Sequence, residues 1–302
     1  ASDVYKRQDL IAPAEVASVS EPGPRPANVT DEEIAASVWL LAGQSHHSIL
    51  IEFSEYTALV EAPQNDTRAL AVIARARELV PDKPLRYLVN THHHFDHDVD
   101  FPCFLLCRWD QSIGKENLLN VFGPTLTEQF TQGIIGENGV FAHDWKARVN
   151  HPISQQVYIN RGGKLPRTPP KVNAKDVKPG KIFSGNDWEM TAGHAEHAQP
   201  WLDSLAYRID SPDGSIVFTG DTEPCPSVVD LAKDADVMFC MCWDEETSME
   251  SNKESKGVCG TLGAARMAQE AGVKKLVLAH LGPNHTRHPY IENRIAKGKS
   301  NN

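Results

Sequence analysis

A chain of 302 residues with 40% apolar and 23% charged side chains suffices for one large packed domain or at most two, and no stretch approaches the ~18 consecutive apolar residues of a spanning helix. The net charge of −10 repels phosphate backbones on average, so a small-molecule substrate is expected ahead of nucleic acid, and no membrane. Six cysteines without a CxxC pair exclude a disulfide framework and a structural zinc knuckle; they read as buried thiols of a reducing, cytoplasmic compartment, although a leader removed ahead of residue 1 is compatible with the same chain.

Residues 1–35 carry Pro13, Pro22, Pro24 and Pro26 among small and acidic residues and are expected to be an extended tail, of which 1–8 (ASDVYKRQ) resembles an adapter-derived peptide. The domain is expected over 36–296, with a polar tail at 297–302. Strands are predicted at 38–42, 48–53 and 57–61, a helix at 67–79 stopped by Pro81, and a strand at 85–89 that runs into a histidine cluster. A short helix over 101–109 and a strand over 120–122 follow. Gly and Pro then suggest a long irregular, basic insertion around 125–186. Strands at 188–192, 204–209 and 215–219, a helix at 228–233, a buried strand at 237–242, a helix at 261–271 stopped by Gly272, and a last strand at 275–279 complete the order. Strands precede helices in both halves, which predicts two sheets face to face with helices outside.

The chemistry sits in the run His92-His93-His94-Phe95-Asp96-His97 directly after a buried strand. On extended backbone alternate side chains share a face, so His92 and His94 converge, His93 points elsewhere, and Asp96 and His97 face a second cation. A surface polyhistidine stretch is the bland alternative, and the position after a buried strand speaks against it.

This HxHxDH pattern resembles the signature of the metallo-β-lactamase superfamily. Three further segments extend the resemblance. EHAQPWLDSLAYRI supplies His197 as the third histidine, preferred to His194 because it lies nearer the strand; VFTGDTEP supplies Asp221; EAGVKKLVLAHLGP supplies His280. The resemblance implies a four-layer αββα sandwich with two divalent metals at one edge. The first would be held by His92, His94 and His197, the second by Asp96, His97 and His280, with Asp221 bridging. Zinc fits the N/O donors best, and manganese or iron would be accepted. A hydroxide shared by the cations is the implied nucleophile; Asp96 counts as catalytic as well as ligating, and the general acid is unassigned.

The second half is similar to the tRNase Z and arylsulfatase-like branch, with three departures: Met238–Trp243 where that branch has a histidine-bearing segment, Cys259 where it has a histidine, and only 23 residues between His197 and Asp221, too few for its tRNA-gripping arm. The first half, with His46 and His47, resembles a different branch. The expected activity is therefore cleavage of an ester-like bond in a lactone, phosphoester, sulfate ester or similar small substrate. A tRNase Z-like nuclease and an inactive, chimeric metal-binding protein are the alternatives. Seven basic residues against Asp176 in 161–181 suit phosphate, although a solvated loop is the favoured reading. Trp201 and Trp243 are the candidate substrate contacts, Phe130, Phe141 and Trp145 are expected in the core, and a homodimer is left open.

Overall fold

The computed structural model describes residues 29–42, 47–61, 66–94, 101–185 and 187–282. Two sheets pack face to face. The first runs in the order β1 (Thr30–Ala35), β2 (Val38–Ala42), β3 (Ser48–Glu52), β4 (Thr57–Val60), β5 (Leu85–Val89), β6 (Leu118–Gly123), β7 (Lys171–Asp176). The second runs β13 (Lys275–Leu281), β12 (Val237–Cys242), β11 (Gly214–Phe218), β10 (Leu205–Ser211), β9 (Glu189–His194), β8 (Gly180–Ser184). In each sheet an antiparallel meander passes into parallel strands: β4 to β7 in one, β11 to β13 in the other. Parallel neighbours require crossovers, and helices supply several of them. These are α1 (Asp66–Leu79), α2 (Phe101–Asp110), α3 (Thr127–Ile135), α4 (Ala142–Asn150), α5 (Pro152–Asn160), α6 (Pro226–Leu231), α7 (Glu246–Asn252) and α8 (Thr261–Ala271).

Three buried clusters define the layers. Between the sheets lie Ile49, Phe53, Tyr87, Trp188, Phe218 and Phe239, with Trp188 stacked on Phe53 at 4.5 Å and donating its Nε1–H to the Tyr56 hydroxyl at 2.6 Å. Outside the first sheet, Leu59, Leu88 and Val121 pack under Val72, Phe101 and Phe104 of α1 and α2; outside the second, Val217, Met238 and Cys240 pack under Val228, Ala264 and Met267 of α6 and α8. This is the αββα sandwich. The continuous burial of β4 and β12, covered on both faces, is what a central strand requires.

Two expectations fail. Residues 30–35 are not an extended lead-in but edge strand β1, antiparallel to β2; the sequence TDEEIA buries only Ile34, so its polarity hides the pairing and suits an exposed sheet edge. The stretch 125–186 is not irregular. It holds α3, α4, α5, β7 and β8, and its helices escape a periodicity reading because each has nine residues and Gly133, Gly136 and Gly139 interrupt the pattern. Helices that short depend on docking rather than propensity: Ile134 and Ile135 enter the α1–α2 core, and Trp145 packs in a buried cluster with Trp109 and Ala142. Of the aromatics expected in the core there, Trp145 is buried, while Phe130 and Phe141 are 41% and 37% exposed.

The basic segment is largely structural at its start. The Arg167 guanidinium is 6% exposed, lies 4.3 Å from the Trp109 ring centre and 4.9 Å from that of Tyr158, and donates to Asp110 at 2.6 Å. Arg161 meets the other Asp110 oxygen at 2.9 Å. Burial pushes the Asp110 carboxyl up, but the two guanidiniums outweigh it and hold the group below its ordinary range. A depressed carboxylate stabilises the fold fully above its unfolded pKa and loses that contribution as pH falls through the folded value. Arg167→Ala is expected to cost about 2–3 kcal/mol in denaturant unfolding at pH 7, with less lost near pH 3, and Arg167→Lys to recover little, because an ammonium cannot lie flat between two rings. An unchanged midpoint for Arg167→Ala would contradict this packing role.

Candidate metal centre

The centre forms where the carboxyl ends of the parallel strands of both sheets meet. β5 ends in Asn90-Thr91, both buried, and delivers His92, which is fully buried, and His94, which is half-buried. His93 points out of the cluster, with Nε2 2.9 Å from the Thr127 hydroxyl. Three ties hold this turn: the Tyr207 hydroxyl donates to the Asn90 carbonyl at 3.2 Å, Leu205 N–H to the Thr91 carbonyl at 3.1 Å, and Thr91 N–H to the Glu61 carboxylate at 3.2 Å. Tyr207 is wholly buried, and burial raises its pKa, keeping the hydroxyl a neutral donor. The Tyr of the AYR strand is thus the link through which one sheet positions a loop of the other.

His197 arrives from the turn after β9. Its Nε2 lies 3.1 Å from Nδ1 of His94, which is in turn 3.2 Å from Nε2 of His92, and the three nitrogens lie within 4.8 Å of one another. The observed N···N separations approach the edge of a tetrahedron with ~2.05 Å metal–nitrogen bonds, roughly 3.3 Å. The His197 tautomer is set from outside. Nδ1 of His197 is 2.6 Å from the Gly257 carbonyl, which only accepts, so the proton sits on Nδ1 and the Nε2 lone pair faces inward; Nδ1 of His92 faces the Thr91 hydroxyl at 3.1 Å. An imidazole trio converging in this way could hold a metal ion. His194, the rival, stays in β9 opposite Leu205 and is not part of the cluster.

Asp221 closes β11 and is buried. Its Oδ2 lies 3.9 Å from Nε2 of His92, 3.9 Å from Nε2 of His197 and 3.3 Å from Nε2 of His280. Gly220 ahead of it has φ +58, and a Cβ there would fall 2.7 Å from the Thr91 side chain, so only glycine lets the two strand ends approach this closely. His280 is aimed by a bulge. Met241 pairs with Ala279 and Cys242 with Leu281, leaving His280 as the extra residue, with φ +47. Beside it a small cavity is lined by His47, Glu61, Asp221 and His280 together with the apolar Ile49 and Phe218.

Asp96, His97 and His46 lie outside the described residues. Trp243 is half-buried with its ring 6.1 Å from that of His280, whereas Trp201 is 92% exposed. Cys259, where the resembled branch has a histidine, is buried under α8; its hydrogen bond with Cys240 and its burial push the thiol pKa up, so it stays protonated and unreactive. The 23-residue interval from His197 to Asp221 is filled by a turn and the β10–β11 hairpin. The sequence reading passed over Glu61, Thr91, Tyr207 and Gly257, since each acts through a partner remote in the chain; for Tyr207 alone the alternation of β10 was a usable signal.

The comparisons bear on this geometry. Residues 138–281 match the model of the beta-lactamase superfamily domain. Ribonuclease BN of Enterobacter sp. (strain 638) is 27% identical over 223 residues, 65% of this chain and 70% of the relative, and ribonuclease Z of Mycobacterium sp. (strain KMS) is 25% identical over 204 residues, 66% of each. The chain spans about two thirds of the length of these relatives. Among solved structures, the metallo-beta-lactamase fold protein YhfI of Bacillus subtilis superposes with a TM-score of 0.57 at 19% identity over 90% of both chains. The short form of human tRNase Z gives 0.52 at 16% identity, over 79% of this chain and 86% of that one. Zn(2+)-bound PqqB of Methylobacterium extorquens gives 0.53 at 12% identity, over 85% and 84%. At these identities the structural likeness is one of fold.

His197→Ala is expected to lower zinc affinity at least ~10-fold, read by equilibrium dialysis with elemental analysis, and His194→Ala to leave it within about 2-fold. The reverse pattern would overturn the choice between them.

Proposed function

We propose that this chain of metallo-β-lactamase fold, whose residues 138–281 match the beta-lactamase superfamily domain, is a metal-dependent hydrolase that cleaves a phosphodiester with two divalent cations. The carrying observation is the single Asp221 oxygen that lies 3.3–3.9 Å from imidazole nitrogens of His92, His197 and His280, the place of a carboxylate shared between two metal sites. His92, His94 and His197 are the proposed first-site ligands, and Asp221 and His280 reach the second, for which Asp96 and His97 remain proposed from the motif. The all N/O donor set suits zinc, with manganese or iron acceptable. When bound, the cations supply Lewis acidity and bring a water pKa from 15.7 towards ~7.

The chain's own part is positioning. Gly257 sets the tautomer that turns the Nε2 lone pair of His197 inward, and Thr91 partners Nδ1 of His92; Tyr207, Leu205 and Glu61 hold the turn that carries His92 and His94; the bulge at His280 brings its imidazole to Asp221. Trp243 offers a half-buried face at the rim beside His280 for a leaving group. A phosphodiester is favoured over the other ester-like bonds because the similar ribonucleases BN and Z act, by name, on RNA, whose backbone is a phosphodiester. A modest substrate is favoured over a folded RNA because the β10–β11 interval leaves no segment for a gripping arm, and because Arg161 and Arg167 are engaged with Asp110.

Bis(p-nitrophenyl) phosphate is expected to be hydrolysed in a reaction abolished by a chelator and restored by zinc or manganese, with p-nitrophenyl acetate and a chromogenic β-lactam turned over at least ~100-fold more slowly. Chelator-insensitive turnover, or turnover confined to the carboxylic ester or the β-lactam, would refute the assignment. Structured RNA as the true substrate predicts steeply salt-dependent binding that weakens in the double variant Lys164→Ala/Lys171→Ala, both lysines being exposed; we expect that binding to be unaffected by the two substitutions.

A further inference from the structure

The peptide that sets the His197 tautomer is itself held by one side chain. Gly257 lies in the loop between α7 and α8, which has neither helical nor strand pairing over 254–260. Its N–H donates to Oε2 of Glu223 at 2.7 Å, and Lys256 Nζ meets Oε1 of the same carboxylate at 2.8 Å. Glu223 is anchored against the other partner too, because its own N–H donates to the Glu196 carbonyl at 2.7 Å, one residue before His197. The loop is pressed tightly onto the histidine. Gly257 has φ +76, and a Cβ there would stand 2.3 Å from the His197 carbonyl oxygen. Glu223, two residues after Asp221, therefore bridges the His197 segment, through its backbone N–H, and the loop whose carbonyl accepts from Nδ1 of His197, through its carboxylate.

We propose that Glu223 is a positioning residue for His197: by clamping the Gly257 peptide it presents the carbonyl that keeps the proton on Nδ1 and the Nε2 lone pair directed at His94. This rests on the reading of His92, His94 and His197 as a metal donor set. The clamp works through the acceptor oxygen on Gly257 N–H rather than through the ion pair, because Lys256 is 85% exposed and its pairing is solvent-screened. A partner one bond removed from a ligand commonly changes metal affinity by 10–100-fold.

Two measurements on the full chain separate the clamp from the metal reading. In metal-free protein labelled with 15N-histidine, long-range proton–nitrogen correlation reports the tautomer of each imidazole directly. Wild type is expected to show His197 as a single Nδ1–H form, Glu223→Ala a mixture, and Glu223→Gln, which keeps an acceptor for Gly257 N–H, the wild-type form. In zinc titrations against a chromophoric chelator, Glu223→Ala is expected to weaken the tighter site 10–100-fold, Glu223→Gln by no more than ~3-fold and Lys256→Ala by no more than ~2-fold. Thermal melts confirm that the variants fold, and rescue by glutamine supports the clamp against a general structural loss. An unchanged His197 tautomer in Glu223→Ala, or equal loss in the alanine and glutamine variants, would overturn the proposal. A wild-type chain that binds no zinc but shows the tautomer change would leave the clamp standing and defeat the metal reading alone.

Discussion

Three imidazole nitrogens from two segments about a hundred residues apart must turn their lone pairs to one buried point, and most of the fold's special features serve that requirement. Each neutral imidazole offers a lone pair from one nitrogen only, so its other nitrogen needs a hydrogen-bond partner. Gly257 gives His197 a carbonyl and Thr91 gives His92 a hydroxyl. Holding the turn at 90–94 in place then falls to Tyr207 and Leu205 from the opposite sheet, and to Glu61 from the adjacent strand end. The two sheets are consequently tied at this edge by polar contacts as well as joined by the apolar core between them.

Local backbone departures gather at the same edge. Glu61 has φ +66, Gly220 φ +58, Gly257 φ +76 and His280 φ +47. Three of these are explained by what they allow: glycine where strand end or loop meets another backbone, and a one-residue bulge where an imidazole must leave the pleat to reach Asp221.

Much of this was legible in the sequence, for physical reasons that also mark where it stopped. The two-residue spacing of His92 and His94 determines a shared face on extended backbone, and buried runs such as 237–242 identify central strands. Gly220 before Asp221 announced a close approach. What escaped depends on distant partners. His197 and His194 are three residues apart with similar neighbours, and the difference between them is a carbonyl sixty residues downstream. Arg167 read as a phosphate-seeking cation, because the Trp109 and Tyr158 rings that enclose it are invisible to local pattern. The helices of 127–160 are too short and too interrupted to carry a period, and β1 is too polar to resemble a strand. Trp201 sits near a ligand in sequence yet projects into solvent, since turn geometry rather than proximity decides where its ring goes.

The account turns on the convergence of His92, His94 and His197, and crystallographic anomalous scattering at the zinc edge from zinc-loaded protein tests it most directly. The account predicts a peak within about 2.0–2.2 Å of Nε2 of His92, Nδ1 of His94 and Nε2 of His197, and a second peak between Asp221 and His280. A peak bound instead through His194, or no peak among the three imidazoles at saturating zinc, would contradict it.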